Sequence, residues 1–214
     1  MKNKVLLLLI LCGTTLVANN NPYILTHDGL IDKRAQDKIF KIGNEVKEKL
    51  NINLYIDIKE NNGLNVKLPR PERIKQMKYI EKNMVKKLNP PYAVLTISVD
   101  QMYANIIMSN DLKEIIDKDD ILDGYVIPLL ASKDKNTLFA KTSAAVLNGY
   151  AEMGDSVARS KNIKLESSIG NEGKIASTVW RVLMYTLVII GILSYIVIIM
   201  REKKYKKLAK NNGE

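Results

Sequence analysis

The chain predicts an α/β domain, a small mixed β-sheet sandwiched between α-helices, carried on one C-terminal transmembrane helix. Three observations predict it. Apolar side chains recur at steps of three and four between residues 35 and 50, then at steps of two between 54 and 58; a helical period gives way to a strand period. Two β-rich runs, separated only by Asp100-Gln101-Met102, follow a segment stopped by Asn89-Pro90-Pro91, the spacing of an antiparallel hairpin. Lastly, nineteen uncharged residues run from Val182 to Met200. At about 1.5 Å per residue they span roughly 28 Å, close to a bilayer's hydrocarbon core.

The first helix is expected from Asp32, a good N-cap, to Leu50, with Ala35, Ile39, Ile42, Val46 and Leu50 inward. In the following strand Leu54, Ile56 and Ile58 alternate with Tyr55, Asp57 and Lys59. Residues 61–71 carry one glycine and two prolines and read as a loop. The second helix is expected over 72–88, with Ile74, Met77, Ile80, Met84 and Leu88 inward and Lys75, Lys78, Lys82 and Lys86 outward. That lysine stripe is a solvated face or a contact for anionic headgroups or an acidic partner. The hairpin strands are Tyr92 to Val99 and Tyr103 to Met108. A short helix over 112–116, an acidic turn Asp117-Lys118-Asp119-Asp120 and a helical stretch to Leu130 come next. The last long helix is expected over 136–161, burying Phe139, Ala145, Val146, Tyr150, Met153 and Val157. The first strand reaches the hairpin through a connection long enough for a parallel crossover, so helices cover a small sheet.

Two hydrophobic segments bracket this domain. Lys2 and Lys4 precede an apolar run, Val5 to Leu11, and small residues lie near Ala18; residues 1–18 read as a secretory signal peptide cleaved after Ala18. Residues 19–161 form the extracytoplasmic domain, 162–178 a polar linker, 179–200 the transmembrane helix and 201–214 a basic cytoplasmic tail. The lipid bilayer is thus met through Val179 to Met200. Trp180 and Tyr185 suit the headgroup layer. The tail holds six basic and two acidic residues, which places it in the cytoplasm and the domain in the periplasm or outside.

The net charge of +10 does not point to nucleic acid. Residues 19–180 hold 24 Lys and Arg against 21 Asp and Glu, so the excess lies at the two ends, not on the folded domain. Cys12 is the one cysteine and goes with the signal segment. The mature domain therefore has no disulfide, thiol nucleophile or zinc thiolate.

With that element order, residues 22–160 resemble the TPM domain family. The resemblance rests on Gly29-Leu30-Ile31 ahead of a long amphipathic helix, the strand pair Ala93 to Val99 and Asn105-Ile106-Ile107, Ile127-Pro128-Leu129-Leu130, and a final helix containing Ala144-Ala145-Val146-Leu147-Asn148-Gly149. Relatives include a thylakoid-lumen protein linked to photosystem repair and a modulator of acetylcholine receptors. The resemblance implies an α/β sandwich with an acidic, often calcium-binding groove; acid phosphatase activity is claimed for plant members. Two departures matter. Thr26 stands where the family often has Asp, with Asp28 displaced towards the glycine. Gln101 stands where the family pairs Arg with the preceding Asp, which removes a fixed phosphate-binding fork.

Clustered carboxylates suit a hard cation. Through the resemblance, the expected metal site is Asp28, Asp100, Asp119 and Asp120, with Ca2+ as its ion. The loop from Asp119 is not an EF-hand, because Ile121 and Leu130 stand at obligatory ligand positions. His27, the one histidine, forms no histidine-based metal site by itself. No DxDxT, Cys-x5-Arg or GxxxxGK[ST] occurs. The expected function is an accessory binding factor for assembly, repair or quality control of a membrane or envelope protein complex. The alternative is a metal-dependent acid phosphatase (phosphomonoesterase) using Asp100, Asp119 and Asp120.

Overall fold

The structure, a computed structural model, describes residues 21–169 and 183–201. The signal segment, Val179 to Val182 at the start of the span, and the tail beyond Arg201 lie outside the described residues.

Four strands pair in the order β1-β2-β3-β4: β1 (Ile24–Thr26), β2 (Asn53–Lys59), β3 (Tyr92–Ser98) and β4 (Tyr103–Met108). The first three are parallel, and β4 returns antiparallel. The sheet is therefore mixed, and the fold is α/β as the two periods predict. Helix α1 (Lys33–Leu50) starts at Asp32, whose side chain accepts from the Ala35 amide, satisfying an otherwise orphaned donor. Ala35, Ile39, Ile42 and Val46 are buried, while Leu50 is only partly so. Helix α5 (Leu138–Ser160) is capped in the same way by Thr137.

Helices α1 and α5 pack on each other and on one sheet face. That face presents Leu54, Ile56 and Ile58 from β2 beside Ala93, Leu95 and Ile97 from β3, with Ile106 from β4. All seven are buried in one apolar cluster. The hydroxyl of Tyr150 on α5 crosses it to donate to the Leu54 carbonyl at 3.0 Å; burial pushes that phenol well above its ordinary range.

The other face is covered by α2 (Arg70–Val85), and it differs from expectation. Of the apolar stripe expected inward on this helix, only Met77 is buried; the other buried residue is Glu81. Lys75, Lys78, Lys82 and Lys86 are exposed, as the helical period requires.

The acidic turn is also corrected. A one-turn 3-10 segment (Asn110–Leu112) takes the place of the helix expected over 112–116. Asp117 then caps α3 (Lys118–Ile121), which continues through a π segment (Leu122–Val126) into α4 (Ile127–Leu130). Gly149 on α5 makes room for that widened turn: a Cβ there would lie 2.5 Å from Cγ2 of Val126. Phe139, expected inside, sits on the first turn of α5 and is 42% exposed.

The stretch read as the start of a linker is docked. Leu165 is 2% exposed, and Glu45 accepts from the amides of Glu166 and Ser167 at 2.8 Å each. Partial burial alone would raise the Glu45 carboxyl, but bonds from Lys49, Ser167 and these amides outweigh it and hold it at about 2. A separate unit begins at Ile169. It contains α6 (Leu183–Arg201), a helix with no buried residue in its apolar window and a mean hydropathy of 2.6, long and apolar enough to cross a membrane.

Candidate functional site

Parallel strands point their C-terminal ends one way, and ligands of open α/β sheets gather there. Here the ends of β1, β2 and β3 lead into residues 27–29, 60–64 and 99–102. These three segments are tied together by side chains. Asp28, at a left-handed φ of 42°, accepts from the Glu60 amide at 3.0 Å. The Asp100 amide donates to the Glu60 carbonyl at 2.9 Å, and its carboxylate accepts from Asn61 at 2.7 Å. Two of the four expected metal ligands thus share one neighbour, the Glu60-Asn61 segment.

Asp119 and Asp120 stand elsewhere in the chain's path. They occupy the first turn of α3, where both amides donate to Asp117. α3 follows the end of β4 that pairs with the start of β3, whereas Asp100 follows the end of β3. Among the described residues, no three His, Cys, Asp or Glu side chains gather closely enough to hold a metal ion. His27 does local work: its Nδ1 accepts from the Gly29 amide at 3.1 Å.

Gln101, which the sequence presents as a lost arginine, is a buried clamp. It is 1% exposed. Its Oε1 accepts from the Ser98 hydroxyl at 2.6 Å and the Asn62 amide at 3.3 Å. Its Nε2 donates to the Leu64 carbonyl at 2.9 Å and to Asn61 Oδ1 at 3.3 Å. A neutral amide can both give and accept, so it binds the hairpin turn to the 61–64 loop where an arginine could only give.

Beside this clamp lies a cavity of about 410 Å³, within the range of small-molecule or side-chain pockets. One wall is the start of α2, with Arg70, Arg73 and Ile74. The floor is the hairpin end, including Ile97 and Ala104, and the far wall is Ile127, Leu130 and Leu138. Arg73 is held in place by donating to the Val66 and Leu68 carbonyls at 2.7 and 3.2 Å. Met102 stands at the rim, 88% exposed and at a φ of 49°, a conformation that costs a non-glycine residue energy. Ile127, Leu138 and Phe139 add exposed apolar surface nearby. Sequence reasoning missed this groove. Its one signal is a methionine where a hairpin tip usually carries Asn, Asp or Gly.

The sheet face under α2 holds a second polar arrangement. Thr26, Asp57, Thr96 and Asn105 are register partners in one row across all four strands. Thr26 donates its hydroxyl to Asp57 Oδ1, and Asn105 donates to both Glu81 oxygens at 3.1 and 3.0 Å. Burial raises the Glu81 carboxyl above its usual range despite bonds from Asn105 and Tyr103. The same burial, together with the negative Glu81, pushes the Tyr103 phenol higher still.

No family model and no curated protein matches the chain. Among solved structures it is similar to the NMR structure of the BA42 protein from the psychrophilic bacterium Bizionia argentinensis. The TM-score is 0.41 at 10% identity, over 65% of this chain and 88% of that one.

Proposed function

We propose that this chain is a TPM-like domain anchored at a membrane, and that it acts as an accessory binding factor for another membrane or envelope protein. The observation that carries this reading is the hairpin-end groove. Its apolar walls and the exposed Met102 and Leu138 have the anatomy of a docking surface, where a methionine adapts to its partner's shape. Arg70 and Arg73 on one wall favour a partner segment with an acidic group beside its apolar residues. The apolar helix Leu183–Arg201 supports an anchor that keeps the groove near other membrane proteins, raising their effective concentration. The domain's site outside the cytoplasm belongs to the same proposal and rests on the basic tail and the signal-like start.

The test is photo-crosslinking in cells, with a photoreactive residue at position 102 of the full chain and a control at exposed Lys41 on α1. A discrete adduct with one membrane protein from position 102, abolished by Leu138→Asp and absent from the control, is expected. The same diffuse adducts from both positions would sink the reading. The phosphomonoesterase alternative needs Asp100, Asp119 and Asp120 at one centre, and their positions lend it no support.

A further inference from the structure

Helix α2 buries two side chains, Met77 beside Asn62 and Glu81 against Asn105 of β4. Beneath Glu81, the Thr26-Asp57-Thr96-Asn105 row crosses the sheet. Three features of this layer do not balance as they stand. Asp57 and Glu81 are two buried carboxylates, 5% and 4% exposed, close enough for the charge of Asp57 to act on Glu81. The nearest cation to Asp57 is Lys59 at 4.0 Å, itself partly solvated; Glu81 forms no ion pair among the described residues, and the positive charge that acts on it comes from exposed Lys78. Between them in the row, the Thr96 hydroxyl is buried and has no hydrogen-bond partner. Its strand neighbours on that face, Asp57 on one side and Asn105 on the other, show that it points towards α2.

Two buried carboxylates whose only counter-charges are long-range and solvated are costly to keep charged, and so is a buried hydroxyl without a partner. One positive ion among these oxygens relieves both. We propose that Asp57, Glu81 and Thr96, with Asn105 beside them, bind one hard divalent cation between the sheet and α2.

The donor set carries the choice of ligand. It consists of carboxylate and hydroxyl oxygens, with no imidazole or thiolate, which suits calcium-class ions and not zinc or copper; the Asn105 amide steadies Glu81 by donating to it. Asp57 uses Oδ1 for Thr26, and its Oδ2 faces only the Lys59 ammonium at 4.0 Å, so Oδ2 is the oxygen the ion takes. The ion replaces the weak hold of α2 with bonds from both sides of the layer, so binding and docking of α2 are linked. The inference does not depend on the groove having a protein partner. The site also differs from Asp28, Asp100, Asp119 and Asp120.

The experiment uses the full chain in non-ionic detergent, stripped of metal and titrated with Tb3+, with emission excited through tyrosine. Tyr103 bonds Glu81 and supplies the sensitiser. A single saturable response that Ca2+ displaces is expected. Asp57→Asn or Glu81→Gln should weaken it by roughly tenfold or more. Thr96→Val gives a separate readout if those variants misfold. It should weaken ion binding while leaving the ion-free protein at least as resistant to heat as the parent, because an orphaned hydroxyl has gone. A folded parent with no saturable response overturns the proposal. So does a response untouched by Asp57→Asn, Glu81→Gln and Thr96→Val, or one lost in Asp28→Asn/Asp100→Asn and kept in Glu81→Gln.

Discussion

The two faces of the sheet are built on different physics. Beneath α1 and α5, the side chains of β2, β3 and β4 are apolar and buried in one cluster, and stability there comes from area removed from water and from close packing. Beneath α2, Val94 and Met77 are buried but stand apart from that cluster, among Asp57, Thr96, Asn105 and Glu81. One face is a core. The other is a polar layer whose members constrain one another through charge and hydrogen bonds. A domain that folds on its first face is free to use its second, and the end of the sheet between them, for recognition.

The largest test of this contrast is a cavity in the apolar face. Leu95 is fully buried there, and Leu95→Ala should cost about 2–5 kcal/mol in denaturant unfolding. A cost below ~1 kcal/mol would mean that this face is not the core. Overpacking the same layer comes next. Gly149→Ala drives a methyl into Val126 and should cost about 1–3 kcal/mol; a neutral outcome would show that the π segment yields easily.

A smaller effect is expected at the domain's last docked residues. Glu45→Ala removes the acceptor of the Glu166 and Ser167 amides and should cost ~1–2 kcal/mol, with faster amide exchange confined to residues 165–168. Protection unchanged there would remove Glu45 as the fastener. The Glu45 carboxyl is held at about 2, so its contribution is present above its unfolded value of 4.5 and is lost as pH falls towards 2.

Glu81 has the opposite sign. Its folded value is raised, so its protonated form is the stabilising one. In chelator, that contribution is complete below pH 4.5 and declines as pH rises through the raised value. Glu81→Gln should flatten that slope while leaving low-pH stability nearly unchanged, as melting curves across pH would show. A slope equal in both proteins would place the titration elsewhere. The smallest effect on folding belongs to the groove's rim: Met102→Ser should change stability by less than ~0.5 kcal/mol while abolishing a partner adduct from a photoreactive residue placed instead at position 138.

Much of the fold was legible because it is written locally. The Asp32 cap, the 35-39-42-46 stripe and the 54-56-58 alternation each reside within one element, and a period of 3.6 or 2 can be read from one segment alone. The hairpin was legible for the same reason, since its strands are neighbours in sequence. The candidate site was less so. Asp28 and Asp100 were picked out from the chain and do flank one loop, but Gln101 was read as a loss when it is a buried tie. Little local marks it: apart from Ser98, its partners Asn61, Asn62 and Leu64 lie far back in the chain. Glu81 was passed over although the steps 74-77-81-84-88 place it within the apolar stripe. A carboxylate in that position reads as solvent-facing unless the opposing strands are known to be polar.

The α/β class, the apolar face and a C-terminal helix able to cross a membrane can be read from the chain, because hydrophobic periodicity and uninterrupted length are properties of single segments. That Thr26, Asp57, Thr96 and Asn105 stand in one row beneath Glu81, and that an apolar groove opens beside Gln101, comes from strand pairing and packing between distant segments. Register between strands is set by pairings dozens of residues apart, and a shift of one residue would have turned every member of that row to the opposite face.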